Sequence, residues 1–355
     1  MIGRRLIVAA TIGLLVVGLT IGCSNGKPKS DGPISVAVIV KTETNPFFVA
    51  IEKGAEKAAK AQGITVTLSA GKEDGDVDSQ VTAINEAVAR GDKGILITPN
   101  GPGVNDAIRT ARDAGIFVVA LDTKPDPGDV VDITFATDNF EAGRLIGKWS
   151  AKKLNGQPAV IALLNLFENR DVSSDVGRNQ GFLTGMGIPV ADPMKLGDEA
   201  KSGNYSAGPY TIACSVPTLG AEDGGRSGMT DCLQRNPDIN LVYTINEPAA
   251  SGAAQVLQAA NNKAVMVSVD GGCDPGIKLV QSGAIGATAL QYPDEMAAKG
   301  LDAIVAYVKD GTTPIPNHGL DLITTGVTLV TNDPQRDVPS IDATEGLTKC
   351  WGNPN

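Results

Sequence analysis

Histidine is almost absent from this chain: His318 stands alone among 355 residues. Pro314, Pro316 and Gly319 surround it, and a single His in such a stretch reads as a solvated loop residue. Imidazole-based triads and His-rich metal sites are excluded with it. The chain also lacks G-x-x-x-x-G-K-[ST], a G-x-G-x-x-G after a strand, G-x-S-x-G and H-E-x-x-H, so phosphates and dinucleotides have no cradle. No C-x-x-C spacing suggests zinc or thioredoxin-like chemistry. Asp74, Asp76 and Asp78 imitate the start of a calcium loop, but Ser79 and Asn85 stand where that loop needs Gly and Glu; capping of a helix that starts at Val77 is the better reading. No basic stripe offsets a net charge of −10, which repels nucleic acid. No cofactor and no metal are expected.

What is present starts with an export signal. Arg4 and Arg5 precede an uninterrupted apolar run from Leu6 to Gly22, a positive n-region followed by a secretory h-region over residues 1–22. The run ends in Leu19-Thr20-Ile21-Gly22-Cys23, which resembles the lipobox of bacterial lipoproteins, with Thr20 where that pattern prefers Leu. Cys23 is the expected lipid anchor, and residues 23–33 a flexible polar tether. A transmembrane anchor is the competing reading, and the run is slightly short for it. With Cys23 lipidated, Cys214, Cys232, Cys273 and Cys350 remain. In an oxidising compartment two disulfides are the default and three connectivities are open. We expect Cys214 with Cys232 and Cys273 with Cys350, the second pinning the tail.

The length suggests two lobes of roughly 150 residues each, and an apolar fraction of 42% suits a soluble α/β chain. Apolar β-branched runs alternate with Ala-rich helical segments, the pattern of βα units on a parallel sheet. The first series places strands at 34–40, 64–68, 94–97 and 116–121, with helices over 46–62, 77–90 and 103–114. A second series follows residue 139, with helices over 139–154, 175–186, 225–235 and 248–261 and strands at 159–164, 210–214, 241–244 and 265–269. A strand at 284–289, a helix over 293–309 and short strands near 320–330 complete the chain. The fold class is α/β, two doubly wound parallel-sheet lobes.

In such sheets a ligand lies beyond the carboxyl ends of the strands. The polar residues there include Lys41 to Asn45, Asp122, Asn165 to Arg170, Asn246, Asp270 and Gln291. Hydroxyl groups both donate and accept, so carboxylates, guanidinium and amides together suit a polyhydroxylated ligand. Asp122 and Asp270 would accept, Arg178 would donate as a fork, and Asn45, Asn246 and Gln291 could do either. Phe47 and Phe48 offer a flat wall for apolar C–H faces, although consecutive positions are not expected to face inward together. Asn45-Pro46 also reads as an N-cap with Pro at the first helical position. Trp149 and Trp351 read as packing residues.

Seven stretches in order resemble type I periplasmic sugar-binding proteins, the ribose-binding group that shares its core with LacI-type repressors. They are Asn45-Pro46-Phe47-Phe48, Leu121-Asp122-Thr123, Ala136-Thr137-Asp138-Asn139, Arg178-Asn179-Gln180-Gly181-Phe182, Thr244-Ile245-Asn246-Glu247, Ser268-Val269-Asp270-Gly271 and Gln291-Tyr292-Pro293-Asp294. The resemblance implies that Asn45, Phe47, Phe48 and Asp122 line one lobe, and Arg178, Asn246, Asp270 and Gln291 the other lobe and the hinge. It implies a first lobe of 34–136 plus 292–322, a second of 137–291 plus 323–355, and a hinge of three crossovers near 137, 291 and 323. It also implies a monomer, not an enzyme, that closes on a monosaccharide or polyol and docks on an ABC-type permease. Thr123 stands where the ribose binders have Arg, and Lys41 where they have a small hydroxyl residue. These departures argue against ribose itself, and residues 41–48, 243–250 and the Cys350-Trp351-Gly352 tail look most like the fructose-binding branch. A leader in place of a DNA-reading helix-turn-helix disfavours a regulator. The paired carboxylates Asp122 and Asp270 leave a sugar hydrolase as the other class.

Overall fold

A computed structural model describes residues 33–168 and 170–352. The expected leader over 1–22, the expected lipid anchor at Cys23 and all of the expected tether except Pro33 lie outside them. The first series runs β1 (Ser35–Val40), α1 (Pro46–Gln62), β2 (Thr65–Ala70), α2 (Val77–Arg90), β3 (Gly94–Ile97), α3 (Asn105–Asp113), β4 (Phe117–Leu121) and β5 (Ile133–Ala136). The second runs α4 (Asn139–Leu154), β6 (Ala159–Asn165), α5 (Ser173–Met186), β7 (Ser202–Asn204), β8 (Pro209–Pro217), α6 (Glu222–Arg235), β9 (Leu241–Thr244), α7 (Glu247–Ala259) and β10 (Val265–Asp270). The remainder is α8 (Lys278–Ser282), β11 (Ala287–Leu290), α9 (Pro293–Asp310), β12 (Ile323–Thr324), β13 (Thr328–Val330) and α10 (Ala343–Lys349).

Among the described residues the strands form a six-stranded sheet, β12-β5-β4-β3-β1-β2, and a seven-stranded sheet, β13-β11-β10-β9-β6-β8-β7. Pairing is parallel except for β13 on β11 and β7 on β8. Within each sheet one stretch repeats a single winding pattern, β2-β1-β3-β4-β5 and β8-β6-β9-β10-β11. The order reverses beside β1 in the first sheet and beside β6 in the second, which puts a crevice at the carboxyl ends of those strands. Strands such as β3 and β4 are buried along their whole length, because helices cover both faces of the sheets. The α/β doubly wound class is borne out.

Helix starts follow local chemistry. Asn45, Asp76, Asp138 and Asn246 each accept a backbone N–H two or three residues on, closing the first turns of α1, α2, α4 and α7. Several expectations need correction. Residues 323–324 do not return to the second sheet: Ile323 and Thr324 pair in parallel with Phe135 and Ala136 at the edge of the first. β5, β7, α8 and α10 have no counterpart among the expected elements. The expected strand at 284–289 begins only at Ala287, where it pairs with Val267.

Candidate functional site

The cleft between the sheets is built from strand ends on both sides. On the first side, Lys41 follows β1 and is 3% exposed. Its Nζ lies 3.8 Å from Oδ1 of Asp74 and 5.7 Å from the centre of the Phe48 ring. Burial raises the Asp74 carboxyl above its ordinary range, against the pull of Lys41. Asn45 caps α1 through Oδ1, which accepts from the Phe47 N–H at 3.0 Å. Phe47 and Phe48 are both buried, correcting the expectation that only one would face inward. They meet edge to face at 5.6 Å, and Phe47 meets Trp351 in the same way at 5.5 Å. The start of α1 is covered on two sides, by its own sheet and by the opposite lobe.

Asp122 follows β4 with φ of 61°, and its Oδ2 accepts from the Thr123 hydroxyl at 2.8 Å. Facing it is Arg178 on α5. A Cβ on Gly143 would come within 2.0 Å of the Arg178 carbonyl, and one on Gly181 within 2.1 Å of the Phe140 carbonyl. These glycines let α4 and α5 lie backbone to backbone, which seats Arg178. Its Nε donates to Asn139 Oδ1 at 2.7 Å and Nη1 to the Ile245 carbonyl at 3.0 Å. The fork then reaches Asp270 Oδ1 at 3.4 Å and, across the cleft, Asp122 Oδ1 at 3.5 Å. One guanidinium thus holds two buried carboxylates from opposite lobes.

Asp270 ends β10 with φ of 130°. Its Oδ1 accepts from Gln291 Nε2 at 2.9 Å, and its carbonyl accepts from the Trp351 indole at 3.0 Å. Behind it Glu247 accepts from the backbone N–H groups of Gly271 and Gly272 and from the Thr288 hydroxyl. Burial pushes Asp270 up to about 7, against the pull of Arg178, and pushes Glu247 up to about 8, with Asp270 adding to the rise. Asn246 caps α7 through Oδ1 and donates from Nδ2 to the Gly220 carbonyl.

Lys41, Asn45, Phe47, Phe48, Asp122, Arg178, Asn246 and Asp270 therefore share one cavity wall, joined by Asp74, Leu166, Ser174 and Ile245. Gln291 does not line it and stands behind Asp270. Asp76 alone caps α2, while Asp74 turns into the cleft; its place just past β2 was the available signal, hidden by the run of aspartates. Trp351 is more than tail packing, since it touches both sides. His318 is exposed. Both expected disulfides are found, Cys214–Cys232 and Cys273–Cys350. Among the described residues no group of three acidic, His or Cys side chains could hold a metal, and no helix is long and apolar enough to cross a membrane.

The lobes are closed on each other. Ser173 Oγ donates to the Lys124 carbonyl at 2.7 Å, and Arg170 to the Gly75 carbonyl at 3.4 Å. The inner cavity holds about 20 Å³ of free space, room for a water molecule or so. It adjoins a wider groove of about 690 Å³ at the cleft mouth, with which it shares Asn45 and Asp74.

Residues 36–313 match the family model of the periplasmic binding protein domain. The ribose import binding protein of Salmonella typhimurium is 29% identical over 275 residues, 76% of this chain and 82% of that protein. The galactofuranose-binding protein of Escherichia coli is 30% identical over 268 residues, 73% and 77% of the two chains. A solved galactofuranose binding protein superposes with a TM-score of 0.74 at 25% identity, covering 89% of this chain and 98% of that one. These relatives are solute-binding proteins, not enzymes.

Proposed function

Because the chain belongs to the periplasmic binding protein domain family, we propose that it captures one neutral sugar between its lobes and hands it to an ABC-type importer. The observation that carries this reading is the triad Asp122, Arg178 and Asp270, two carboxylates and a fork meeting in a buried cleft between two sheets. Asp122 and Asp270 accept from sugar hydroxyls and Arg178 donates, while Asn45 and Asn246 close the rim. Phe47 and Phe48 back the apolar face of the ring. Entry requires the lobes to part, since the closed cleft is filled by these side chains. Closure then follows from the ligand's higher affinity for the closed state.

Within the sugars a ketohexose of the fructose type is the favoured ligand, and a polyol is the second reading. Lys41 and Thr123 support both: Thr123 donates to Asp122 instead of offering a second guanidinium to the ligand, and Lys41 brings one cation against Asp74. The protein is exported, works as a monomer and is held at the outer face of the cytoplasmic membrane by lipid on Cys23.

A thermal-shift panel of ketoses, aldohexoses, pentoses and polyols tests the reading. A ligand at 100 times its Kd adds about 2.7 kcal/mol to stability, so the true ligand raises the melting temperature by several degrees. A ketohexose is expected to give the largest rise. No rise from any member overturns the proposal.

A further inference from the structure

The C-terminal tail makes a contact that neither lobe makes without it. Cys350 is bonded to Cys273 across 77 positions. Beside that bond the Cys273 N–H donates to the Trp351 carbonyl at 2.9 Å, and Gly272 pairs with Trp351 in a parallel bridge. A Cβ on Gly272 would come within 2.9 Å of the indole ring, so only glycine leaves the ring its place. Held there, the indole reaches in two directions. Its N–H donates to the Asp270 carbonyl at 3.0 Å. Its ring stands at 84° to Phe47, at the start of α1 in the opposite lobe, and packs within the apolar cluster of that lobe. Asp270 has a backbone conformation that L-residues rarely adopt, and such a turn persists only where its surroundings hold it. Glu247 holds the following N–H groups, Gln291 the carboxylate and Trp351 the carbonyl.

We propose that Trp351, anchored by the Cys273–Cys350 disulfide, is a positioning residue of the cleft: it aims Asp270 at the ligand and seats its ring on Phe47 when the lobes close. The assignment rests on the sugar-binding reading. The other disulfide serves as an internal comparator, because Cys214–Cys232 ties β8 to α6 within the second lobe and is not part of the cleft wall.

The test uses the purified protein and the sugar that shifts its melting most. Affinity is read by calorimetry, folding by melting, and closure by indole emission during the same titration. Trp351→Phe keeps a ring on Phe47 and loses the donor to Asp270. It is expected to bind about tenfold more weakly, the effect of one lost hydrogen bond. The Cys273→Ser, Cys350→Ser pair is expected to lose at least as much. The Cys214→Ser, Cys232→Ser pair should melt lower and bind within about twofold of wild type, since its loss acts on stability. Wild-type emission should change on binding, and Trp351→Phe should lose that change although Trp149 remains.

Wild-type affinity in both cleft-side variants, or an emission change that survives Trp351→Phe, would overturn the assignment. Should those variants fail to fold, the wild-type titration decides, because an indole that ignores saturating sugar does not take part in closure. If no sugar shifts the wild type, the functional reading falls and takes this assignment with it. A bound sugar with indifferent variants sinks the assignment alone.

Discussion

Asp122 and Asp270 occupy the same place in two copies of one winding pattern, at the carboxyl ends of β4 and β10, and both have positive φ. They share Arg178 at nearly equal distances. What lies behind them differs. Asp122 has the hydroxyl of its neighbour Thr123, one cation-bearing partner and, at its carbonyl, the Asn139 amide at 3.3 Å. Asp270 has a second buried carboxyl, Glu247, one layer back, and is boxed by Gln291 and Trp351. The comparison teaches that topology places an aspartate at the cleft, while the layer beneath sets the electrostatics around it.

The largest break in that symmetry comes from removing what the two sides share. Arg178→Ala leaves two carboxylates buried without their cation, a loss on the order of 3–5 kcal/mol. It should appear as a lower melting temperature together with undetectable sugar binding by calorimetry. Arg178→Lys is not expected to restore binding, since an ammonium lacks the fork that spans both lobes.

Next in size is a contrast between the walls. Asp270→Ala removes an acceptor that Arg178 and Gln291 both use and should weaken sugar binding by about 2–3 kcal/mol in a protein that still folds. Asp122→Ala should cost less affinity, because only Thr123 and the distant fork lose a partner. Unchanged calorimetric affinity in the Asp270 variant would remove that residue from the site, and equal losses in the two variants would erase the asymmetry.

A smaller effect belongs to pH. In the folded protein the carboxyls of Asp270 and Glu247 are raised to about 7 and about 8. Each therefore binds its proton more tightly folded than unfolded, and stability should fall as pH rises from about 5 to about 8 and level off above that. Asp175, raised to about 6 by burial, and Glu52, raised to about 7, act in the same direction. Melting curves across that range check the slope, which Glu247→Gln should flatten. A slope that rises instead would mean that burial does not raise these groups in the folded protein.

The smallest effect is expected at His318, exposed in its loop. His318→Ala should change both melting and affinity by less than about 0.5 kcal/mol, and a larger change in sugar binding would show the cleft to extend beyond the residues named.

Much of the site was legible because strand ends announce themselves. Lys41, Asn45, Asp122, Asn246 and Asp270 each stand within a few residues of an apolar run, and eight of the nine expected ligand residues line one cavity. The ninth, Gln291, lies at a strand end as expected, but its side chain turns to Asp270. Asp74 escaped notice since its neighbours Asp76 and Asp78 offered a sufficient local explanation. Ser174, Leu166 and Ile245 carry no distinctive chemistry, and only their place against the opposite lobe makes them part of the wall.

The sequence by itself determined the alternation of strand and helix, the capped helix starts and the polar strand ends, because these depend on periods of two and 3.6 residues and on side chains that reach a backbone N–H two or three positions away. Only the tertiary structure decided which ends would meet. Arg178 finds Asp122 across 56 positions and Asp270 across 92, and Trp351 finds Asp270 across 81. Those separations carry no local signal; they are set by the winding order of two sheets and the seating of one lobe on the other. The same long-range pairing put β12 on the first sheet, buried both Phe47 and Phe48, and turned a tail tryptophan into a contact between lobes.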